Sequence, residues 1–178
     1  MISSLKPDFF VDSIYEIDDK WLEQNKIRAL IVDVDNTMLA RDVAIPHSKL
    51  REWVVNLRDS GIELIVVSNN WTARVRKIAE ELDLPLLAPA GKPLRLVFSR
   101  AIDMLGSDRG ETAIVGDQLF TDVLGGRRAK ILTILVAPVS EVDLIHTKML
   151  RVLEKVLLRR LSKKVLIKGE WRETSAVK

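Results

Sequence analysis

The sequence predicts one α/β domain over residues 1–178, built on a doubly wound, Rossmann-like parallel sheet of about five strands. Its 178 residues suit a single core, and 47% apolar with 30% charged residues is a globular composition. Short apolar runs alternate with segments of helical periodicity along the chain. No internal repeat or low-complexity linker interrupts this alternation, so a single folding unit is expected.

Four runs are rich in β-branched residues and almost continuously apolar, which is typical of strands buried on both faces of a parallel sheet. They are IRALIVDVD (27–35), IELIVVS (62–68), ETAIVGD (111–117) and ILTILVA (131–137). A weaker run, LPLLAPA (84–90), is interrupted by prolines and suits an edge strand.

Helical spacing of apolar residues fills the intervals between these strands. Residues 46–61 open with a proline, carry an apolar stripe and stop at a glycine. Residues 72–83 and 93–106 have a similar pattern. The order of elements therefore predicts alternating strands and helices.

Polar side chains follow four of the predicted strands. They are Asp33 and Asp35, Ser68 and Asn69, Lys92, and Asp117. Because ligands of such sheets bind beyond the carboxyl ends of the strands, we expect these side chains to converge on one site.

Asp33 and Asp35 stand one residue apart behind a buried strand, where a bound metal ion would offset their mutual repulsion. Mg²⁺ prefers oxygen ligands and leaves positions for water and phosphate. One aspartate could attack phosphorus while the other exchanges a proton with the leaving oxygen and offers its main-chain carbonyl to the metal. Asp117 would add a metal oxygen, and Ser68 and Lys92 would hold the phosphoryl oxygens.

These segments resemble the four motifs of the haloacid dehalogenase (HAD) superfamily. DVDNT (33–37), VVSNN (66–70), GKP (91–93) and GDQLFTD (116–122) match its DxDx[TV], Ser/Thr, Lys and GDxxxxD motifs in the same order. A lone pair of acidic residues is common in turns, whereas four motifs in order are specific. The resemblance implies a HAD-like fold and phosphatase chemistry.

The resemblance also implies residue roles. Asp33 would be the nucleophile that forms an aspartyl-phosphate, Asp35 the general acid and then base, and Lys92 the catalytic cation. Mg²⁺ would be held by Asp33, Asp117 and the main-chain carbonyl of Asp35, and Ser68 would join Lys92 in contacting phosphate. Thr37 would close the turn after the nucleophile or contact phosphate, and Asn69 would contact the substrate at its leaving group or satisfy the main chain of its loop. Asp122 would orient Lys92 or a bound water, or simply favour the start of a helix.

The aspartate at position 35 favours phosphate esters, because dehalogenases of the superfamily lack a carboxylate there. Only 32 residues separate Asp35 from Ser68, and 23 separate Ser68 from Lys92, so no cap domain is expected. An uncapped mouth suits a protein, a nucleic acid or a lipid headgroup, or a small substrate if oligomerisation supplies a lid. Trp71 is interpreted as a packing residue, with substrate contact as the alternative.

The C-terminal segment carries the positive charge of the chain. Residues 141–178 hold ten Lys or Arg against five Asp or Glu, whereas the first 140 residues hold 18 against 20. Residues 143–168 are predicted to form a basic amphipathic helical segment that covers the sheet, contacts an anionic membrane surface, or does both. Few aromatic residues accompany the basic ones, so no nucleic-acid partner is expected.

Several classes of protein are not favoured. The chain has no cysteine, and its two histidines lack ligand spacing, which disfavours thiolate and imidazole metal sites. No signal peptide pattern is present, and no apolar run approaches the roughly 20 residues of a membrane span. A cytoplasmic protein, soluble or peripheral on the inner face of a membrane, is expected.

Nearly the whole chain resembles the YqeG type of the superfamily. The resemblance is carried by LKPDFFVDSIYEID (5–18), IRALIVDVDNTML (27–39), VVSNN and VGDQLFTDVLGGRR (115–128). Relatives of that type include phosphatidylglycerophosphate phosphatases, which implies a lipid headgroup as substrate. The alternatives are a soluble phosphatase of sugar phosphates or nucleotides, and a non-catalytic assembly protein. The charged motif residues favour an enzyme.

Overall fold

The computed structural model describes residues 5–140, 163–167 and 170–174. Their strands are β1 (Phe9–Val11), β2 (Ala29–Val32), β3 (Glu63–Val67), β4 (Leu86–Leu87), β5 (Thr112–Gly116), β6 (Leu132–Val136), β7 (Lys163–Ile167) and β8 (Glu170–Thr174). They form one sheet in the order β4-β3-β2-β5-β6-β1-β7-β8. All neighbouring strands are parallel except β7 and β8.

The helices are α1 (Asp19–Gln24), α2 (Ser48–Asp59), α3 (Ala73–Glu81), α4 (Arg95–Leu105) and α5 (Leu124–Ala129). Single turns of 3₁₀-helix lie at Ile14–Glu16 and Arg109–Glu111, and a turn of π-helix lies at Leu119–Val123. Side-chain caps start α2 and α3, where His47 and Thr72 accept hydrogen bonds from main-chain N–H groups. Gly106, with φ +59°, ends α4.

Both faces of the central sheet are buried, as the continuous apolar runs predict. Along β2, Leu30 and Val32 pack in the core layer that contains Trp53 of α2. Ala29 and Ile31 point to the opposite layer, which contains Phe98 of α4. Because side chains alternate along a strand, each strand contributes to both layers and is shielded from water on both faces.

The strand order places a reversal point between β2 and β5. From β2 the chain proceeds outward to β3 and β4, and α4 then returns it to β5 on the other side of β2. The N–H of Asp33 donates to the carbonyl of Val115 at 3.0 Å, so the ends of the two strands are held together. A reversal of strand order opens a crevice at the carboxyl ends, and this crevice contains the candidate site.

The predicted α/β class and the five predicted strands are confirmed as β2 to β6, but the sheet also contains β1. This strand has three residues, too few to show a sequence pattern. It is fixed next to β6 by Asp8, whose carboxylate accepts from the N–H and hydroxyl of Thr133, each at 3.0 Å. Such a long-range contact gives no periodic signal in the sequence.

The absence of an inserted cap domain is confirmed in both intervals that could hold one. Between β2 and β3 the chain forms turns and α2, and between β3 and Lys92 it forms α3 and β4. The carboxyl edge of the sheet is therefore bordered by loops.

Part of the predicted C-terminal helical segment is a strand. Lys163–Ile167 form β7, which pairs with β1 at Phe10 and Val165 and with β8 in antiparallel register. The helical prediction is wrong for these residues, because the run Val165–Ile167 contains β-branched residues beside an open sheet edge. Residues 143–162 lie outside the described residues, so that part stays a prediction.

Candidate active site

The turn after β2 orients the DVDNT segment. Asn36 has a φ of +62° and is buried, and its N–H donates to the carbonyl of Leu39 at 2.8 Å. Asparagine tolerates this left-handed conformation better than most residues. The turn brings the hydroxyl of Thr37 back to Asp33, where it donates to Oδ2 at 3.3 Å. Thr37 thus supports the predicted nucleophile.

Lys92 lies at the centre of the buried charges. Its Nζ donates to Oδ1 of Asp33 at 2.6 Å and to Oδ1 of Asp122 at 2.7 Å. The side chain of Asn69 holds the main chain of Lys92 at both polar groups, accepting from its N–H at 2.7 Å and donating to its carbonyl at 3.0 Å. The ammonium is therefore positioned by a loop clamp and by two carboxylates.

Asp122 reaches Lys92 because the π-helical turn lies against Gly116. A Cβ atom added to Gly116 would come within 2.3 Å of Cγ of Asp122. The second carboxylate oxygen of Asp122 accepts from the N–H of Gln118 at 3.2 Å and from the hydroxyl of Thr121 at 3.3 Å. Asp122 thus contacts Lys92 and also lies in the first turn of the π-helix, so its position agrees with both alternatives left open by the sequence, and its role in orienting Lys92 stays a prediction.

Three buried carboxylates form a cluster that suits a hard cation. Asp33, Asp117 and Asp122 each offer an oxygen, and these oxygens lie within 4.8 Å of one another. Burial raises the pKa of Asp33 to about 6, although Lys92 opposes this shift, and Asp122 and Asp35 add to it. A cation here would favour the ionised carboxylates, so the donor set fits the predicted Mg²⁺.

The charge of Lys92 is maintained by its neighbours. Burial by itself lowers the pKa of the ammonium, but the carboxylates of Asp122 and Asp33 outweigh this effect and raise the pKa above its ordinary value. The side chain is 2% exposed. A buried cation of this kind is stable only while its carboxylate partners remain.

Asp35 points to a different set of partners. Arg74 donates to Oδ1 of Asp35 at 2.6 Å, Asn70 donates through Nδ2 to Oδ2, and Nη1 of Arg41 lies 3.6 Å from Oδ2. Arg74 also donates to the carbonyls of Val43 and Ala40, each at 2.7 Å. It therefore links Asp35, the segment after β2 and the start of α3.

The structure thus brings together most of the predicted site residues. Asp33, Thr37, Lys92, Asp117 and Asp122 lie around one buried centre, and Ser68 is buried at the end of β3, where its Oγ accepts from the N–H of Asn70 at 3.1 Å. The carboxylate of Asp35 is not among the three clustered carboxylates, so only its main-chain carbonyl remains as the predicted metal ligand. The side chain of Asn69 binds the main chain of Lys92, as in the alternative in which it satisfies its loop, and its contact with substrate stays a prediction.

The sequence interpretation missed the three polar neighbours of Asp35. Of these, Arg74 left a signal in the sequence, because it lies in the first turn of α3, where a cation opposes the helix dipole. A cation placed there must be stabilised by other contacts. Arg41 and Asn70 gave no comparable signal.

Comparison with known proteins agrees with this geometry. A profile of the HAD-hydrolase-like family matches residues 89–138, which include Lys92, Asp117 and Asp122. The probable phosphatase YqeG of Bacillus subtilis (strain 168) is 36% identical over 164 residues, which cover 92% of this chain and 95% of that protein. This chain is a HAD phosphatase of the YqeG family. The identity extends well beyond the motifs that the whole superfamily shares.

Solved structures share the fold of this YqeG-family chain. The cobalt-bound deoxy-D-mannose-octulosonate 8-phosphate phosphatase of Haemophilus influenzae has a TM-score of 0.53 and 19% identity, covering 73% of this chain and 77% of that one. A 3-deoxy-D-manno-octulosonate 8-phosphate phosphatase of Yersinia pestis has a TM-score of 0.51 and 18% identity, covering 67% and 68%. At these identities the likeness concerns the fold alone.

Proposed function

We propose that this YqeG-family protein is a Mg²⁺-dependent phosphatase that hydrolyses phosphatidylglycerophosphate to phosphatidylglycerol through an aspartyl-phosphate on Asp33. The observation that carries this proposal is the buried centre at the β2–β5 crevice. There the carboxylate of Asp33 is held 2.6 Å from Lys92 and within the cluster formed with Asp117 and Asp122. An anionic nucleophile beside a fixed cation suits attack on a phosphoryl group.

Asp33, Asp117 and the main-chain carbonyl of Asp35 would hold the metal. When bound there, Mg²⁺ supplies positive charge that offsets the phosphoryl oxygens. The cluster holds three carboxylates and one ammonium. Its excess negative charge favours cation binding even without substrate.

The first half of the reaction transfers the phosphoryl group to the protein. A carboxylate oxygen of Asp33 attacks phosphorus, and the bond from phosphorus to the leaving oxygen of the glycerol breaks. Lys92 and the hydroxyl of Ser68 stabilise the phosphoryl oxygens, since the present contact of Ser68 with the N–H of Asn70 does not use its hydroxyl hydrogen. Thr37, which donates to Asp33 at 3.3 Å, keeps the attacking carboxylate oriented.

Asp35 carries the proton in both halves of the reaction, as a general acid in the first and a general base in the second. It donates one proton to the leaving oxygen, which departs as the neutral alcohol of phosphatidylglycerol. Its carboxylate then takes a proton from water while the water oxygen attacks phosphorus, and the bond to Asp33 breaks to release inorganic phosphate. Arg74 and Asn70 hold Asp35 in place for these transfers.

A membrane lipid is the proposed substrate because the site has no cap and because the YqeG type includes phosphatidylglycerophosphate phosphatases. A headgroup that projects from a bilayer needs an open mouth, and loops alone border this one. No helix among the described residues is long and apolar enough to cross a bilayer. The basic segment 143–168 remains a predicted contact with an anionic membrane surface.

The test is phosphate release from phosphatidylglycerophosphate in mixed micelles, measured beside soluble sugar phosphates and nucleotides. We expect the lipid to have the highest kcat/KM, with activity lost in EDTA and restored by Mg²⁺. The Asp33→Asn variant is the control for contaminating phosphatases. Faster turnover of a soluble ester would replace the lipid with a small substrate, and no turnover of any ester would favour the assembly protein.

A further inference from the structure

Exposed apolar side chains are concentrated around the catalytic mouth. Among residues 5–140, eight large apolar side chains are exposed: Val43, Ile45, Val55, Trp71, Leu94, Leu96, Met104 and Val139. Val55 lies in the second half of α2 and Met104 near the end of α4, both away from the carboxyl edge of the sheet, whereas Leu96 lies in the first turn of α4. The six other than Val55 and Met104 follow β2, β3, β4 or β6 and are named the apolar rim here.

Hydrogen bonds connect the loops that carry the apolar rim. Arg74, in the first turn of α3 directly after the β3 loop, donates to the carbonyl of Val43 at 2.7 Å. Asn69 joins the same loop to Lys92, two residues before Leu94. The N–H of Val139 donates to the carbonyl of Asn36 at 3.0 Å. The loops that carry the apolar rim are therefore linked to one another or to the turn after β2, at the same edge of the sheet as the active site.

Positive charge accompanies the apolar rim. Apart from Lys92 in the site itself, the segments 40–46, 69–76, 91–96 and 137–140 contain four arginines and one acidic residue, Asp42. Arg41 and Arg74 are paired with Asp35 and are largely buried, so Arg76 and Arg95 are the arginines exposed to solvent there. The guanidinium of Arg76 lies over the ring of Trp71, 4.7 Å from its centroid. Tryptophan beside arginine is a combination that suits the boundary between lipid headgroups and acyl chains.

We propose that the apolar rim is a docking face for an anionic phospholipid bilayer, with the catalytic crevice opening onto the headgroups. This inference rests on the proposed function, because it supplies the surface that a lipid phosphatase needs. The free energy falls when exposed apolar side chains leave water, and the exposed Arg76 and Arg95 are attracted to anionic headgroups. The headgroup would enter between the loops while the apolar rim contacts the lipid around it.

A bilayer fits this face better than a second copy of the chain. A two-fold contact would bring two copies of the same positively charged face together, and their like charges would repel. An anionic lipid surface complements those charges. The apolar side chains also stand around a polar centre instead of forming one flat patch, which suits insertion of separate side chains between headgroups.

Trp71 provides a direct readout of docking. It is 58% exposed, whereas Trp21 is 2% exposed and Trp53 is 7% exposed. The intact protein is mixed with phosphatidylcholine vesicles with and without phosphatidylglycerol, each carrying brominated acyl chains. We expect brominated anionic vesicles to quench the emission of the parent more than that of Trp71→Phe. This difference isolates Trp71 from the other tryptophans, which include Trp171 in the C-terminal segment. Quenching locates the face in contact, so attachment through residues 143–168 alone would leave Trp71 unquenched.

A matched pair of variants tests whether the apolar rim drives binding. The test variant carries Ile45→Gln, Leu94→Gln and Leu96→Gln, and the control carries Val55→Gln and Met104→Gln. We expect the test variant to lose about tenfold or more in vesicle partitioning and the control to stay within about twofold of the parent. Leu96→Gln alone, at the most exposed position (81%), gives a smaller loss in the same direction if the triple variant folds poorly.

Three outcomes would overturn the docking face: unquenched Trp71 on bound vesicles, equal losses in the two variants, or shielding of Trp71 by self-association without lipid. These vesicles contain no phosphatidylglycerophosphate, so the result is independent of turnover. Hydrolysis of the lipid in detergent micelles with an unquenched Trp71 on vesicles would retain the proposed function and remove the docking face. Quenching of Trp71 on vesicles without hydrolysis of the lipid would retain the docking face and remove the proposed function.

Discussion

Asp33 and Asp35 are separated by the single residue Val34, yet their carboxylates have opposite electrostatic surroundings. Asp33 faces inward, where two further carboxylates and one ammonium lie close to it. Asp35 faces two arginines and an asparagine next to the flanking loops. The inner side is short of positive charge, and the outer side is well supplied with it.

This difference shows where strand periodicity stops being a guide. Residues at i and i+2 of a strand share a face, so an extended chain would place the two carboxylates side by side. β2 ends at Val32, and the turn through Asn36 takes the chain out of the sheet. The two aspartates therefore reach different partners, and we assign the nucleophile and metal ligand to the inner side and the proton transfer to the outer side.

Asp33→Asn should have the largest effect, because it removes the nucleophile from the inner side while the amide oxygen can still accept from Lys92. We expect kcat to fall by about 10⁴-fold or more, with an unchanged circular dichroism spectrum. Phosphate release measured on the purified variant checks this. Turnover near that of the parent would remove Asp33 from the nucleophile position.

Asp35→Asn should sharpen the comparison through the leaving group. A general acid matters most for a poor leaving group, so kcat on an alkyl phosphate should fall by about 10²- to 10⁴-fold. Hydrolysis of p-nitrophenyl phosphate should fall much less, because its leaving oxygen needs little protonation. Equal losses on the two esters would contradict the role in proton transfer.

Asp117→Asn should separate the two sides through metal binding. Mg²⁺ at 100 times its Kd should stabilise the parent by about 2.7 kcal/mol, because it binds only the folded state. Asp117→Asn should lose most of this gain, whereas Asp35→Asn should keep it, since the main-chain carbonyl at position 35 remains. Thermal unfolding with Mg²⁺ or EDTA measures the difference, and a full Mg²⁺ shift in Asp117→Asn would exclude Asp117 as a ligand.

Arg74→Gln should have the smallest effect, acting through Asp35. We expect about a tenfold loss of kcat on alkyl phosphates from the loss of the charged hydrogen bond, with p-nitrophenyl phosphate less affected and Arg74→Lys intermediate. A purely structural defect would lower both rates equally. Arg58→Gln is the matched control, because Arg58 forms an exposed pair with Asp83 on another part of the surface.

The central strands and the location of the site could be predicted because both depend on local patterns. Continuous apolar runs mark β2, β3, β5 and β6, and the carboxyl ends of parallel strands must meet at one edge. The partners within the site could not be predicted in this way. Asp35 meets Arg74 39 residues later, and Lys92 meets Asp122 after 30, distances over which side-chain orientation has no sequence period.

Trp71 and the C-terminal residues show that exposure and strand pairing are also hard to predict from a single segment. The sequence favours a packing role for Trp71, but this residue is exposed because it lies in the loop before α3. The helical prediction for the C-terminal segment includes Lys163–Ile167, which instead form a strand because β1 offers them an edge to pair with. Burial and pairing are properties of the assembled sheet, and a single segment does not contain them.

The short strand β4 has a consequence for local unfolding near the site. It consists of only Leu86 and Leu87 and lies at the edge of the sheet, yet the chain leaving it carries the catalytic ammonium. Segments with few backbone pairs open at a lower free energy than the central strands. The N–H of Lys92, which donates to Asn69, should therefore exchange with deuterium sooner than the N–H groups of β2 and β5. Inactivation by gentle heating can then precede global unfolding, as an edge event that leaves the core folded.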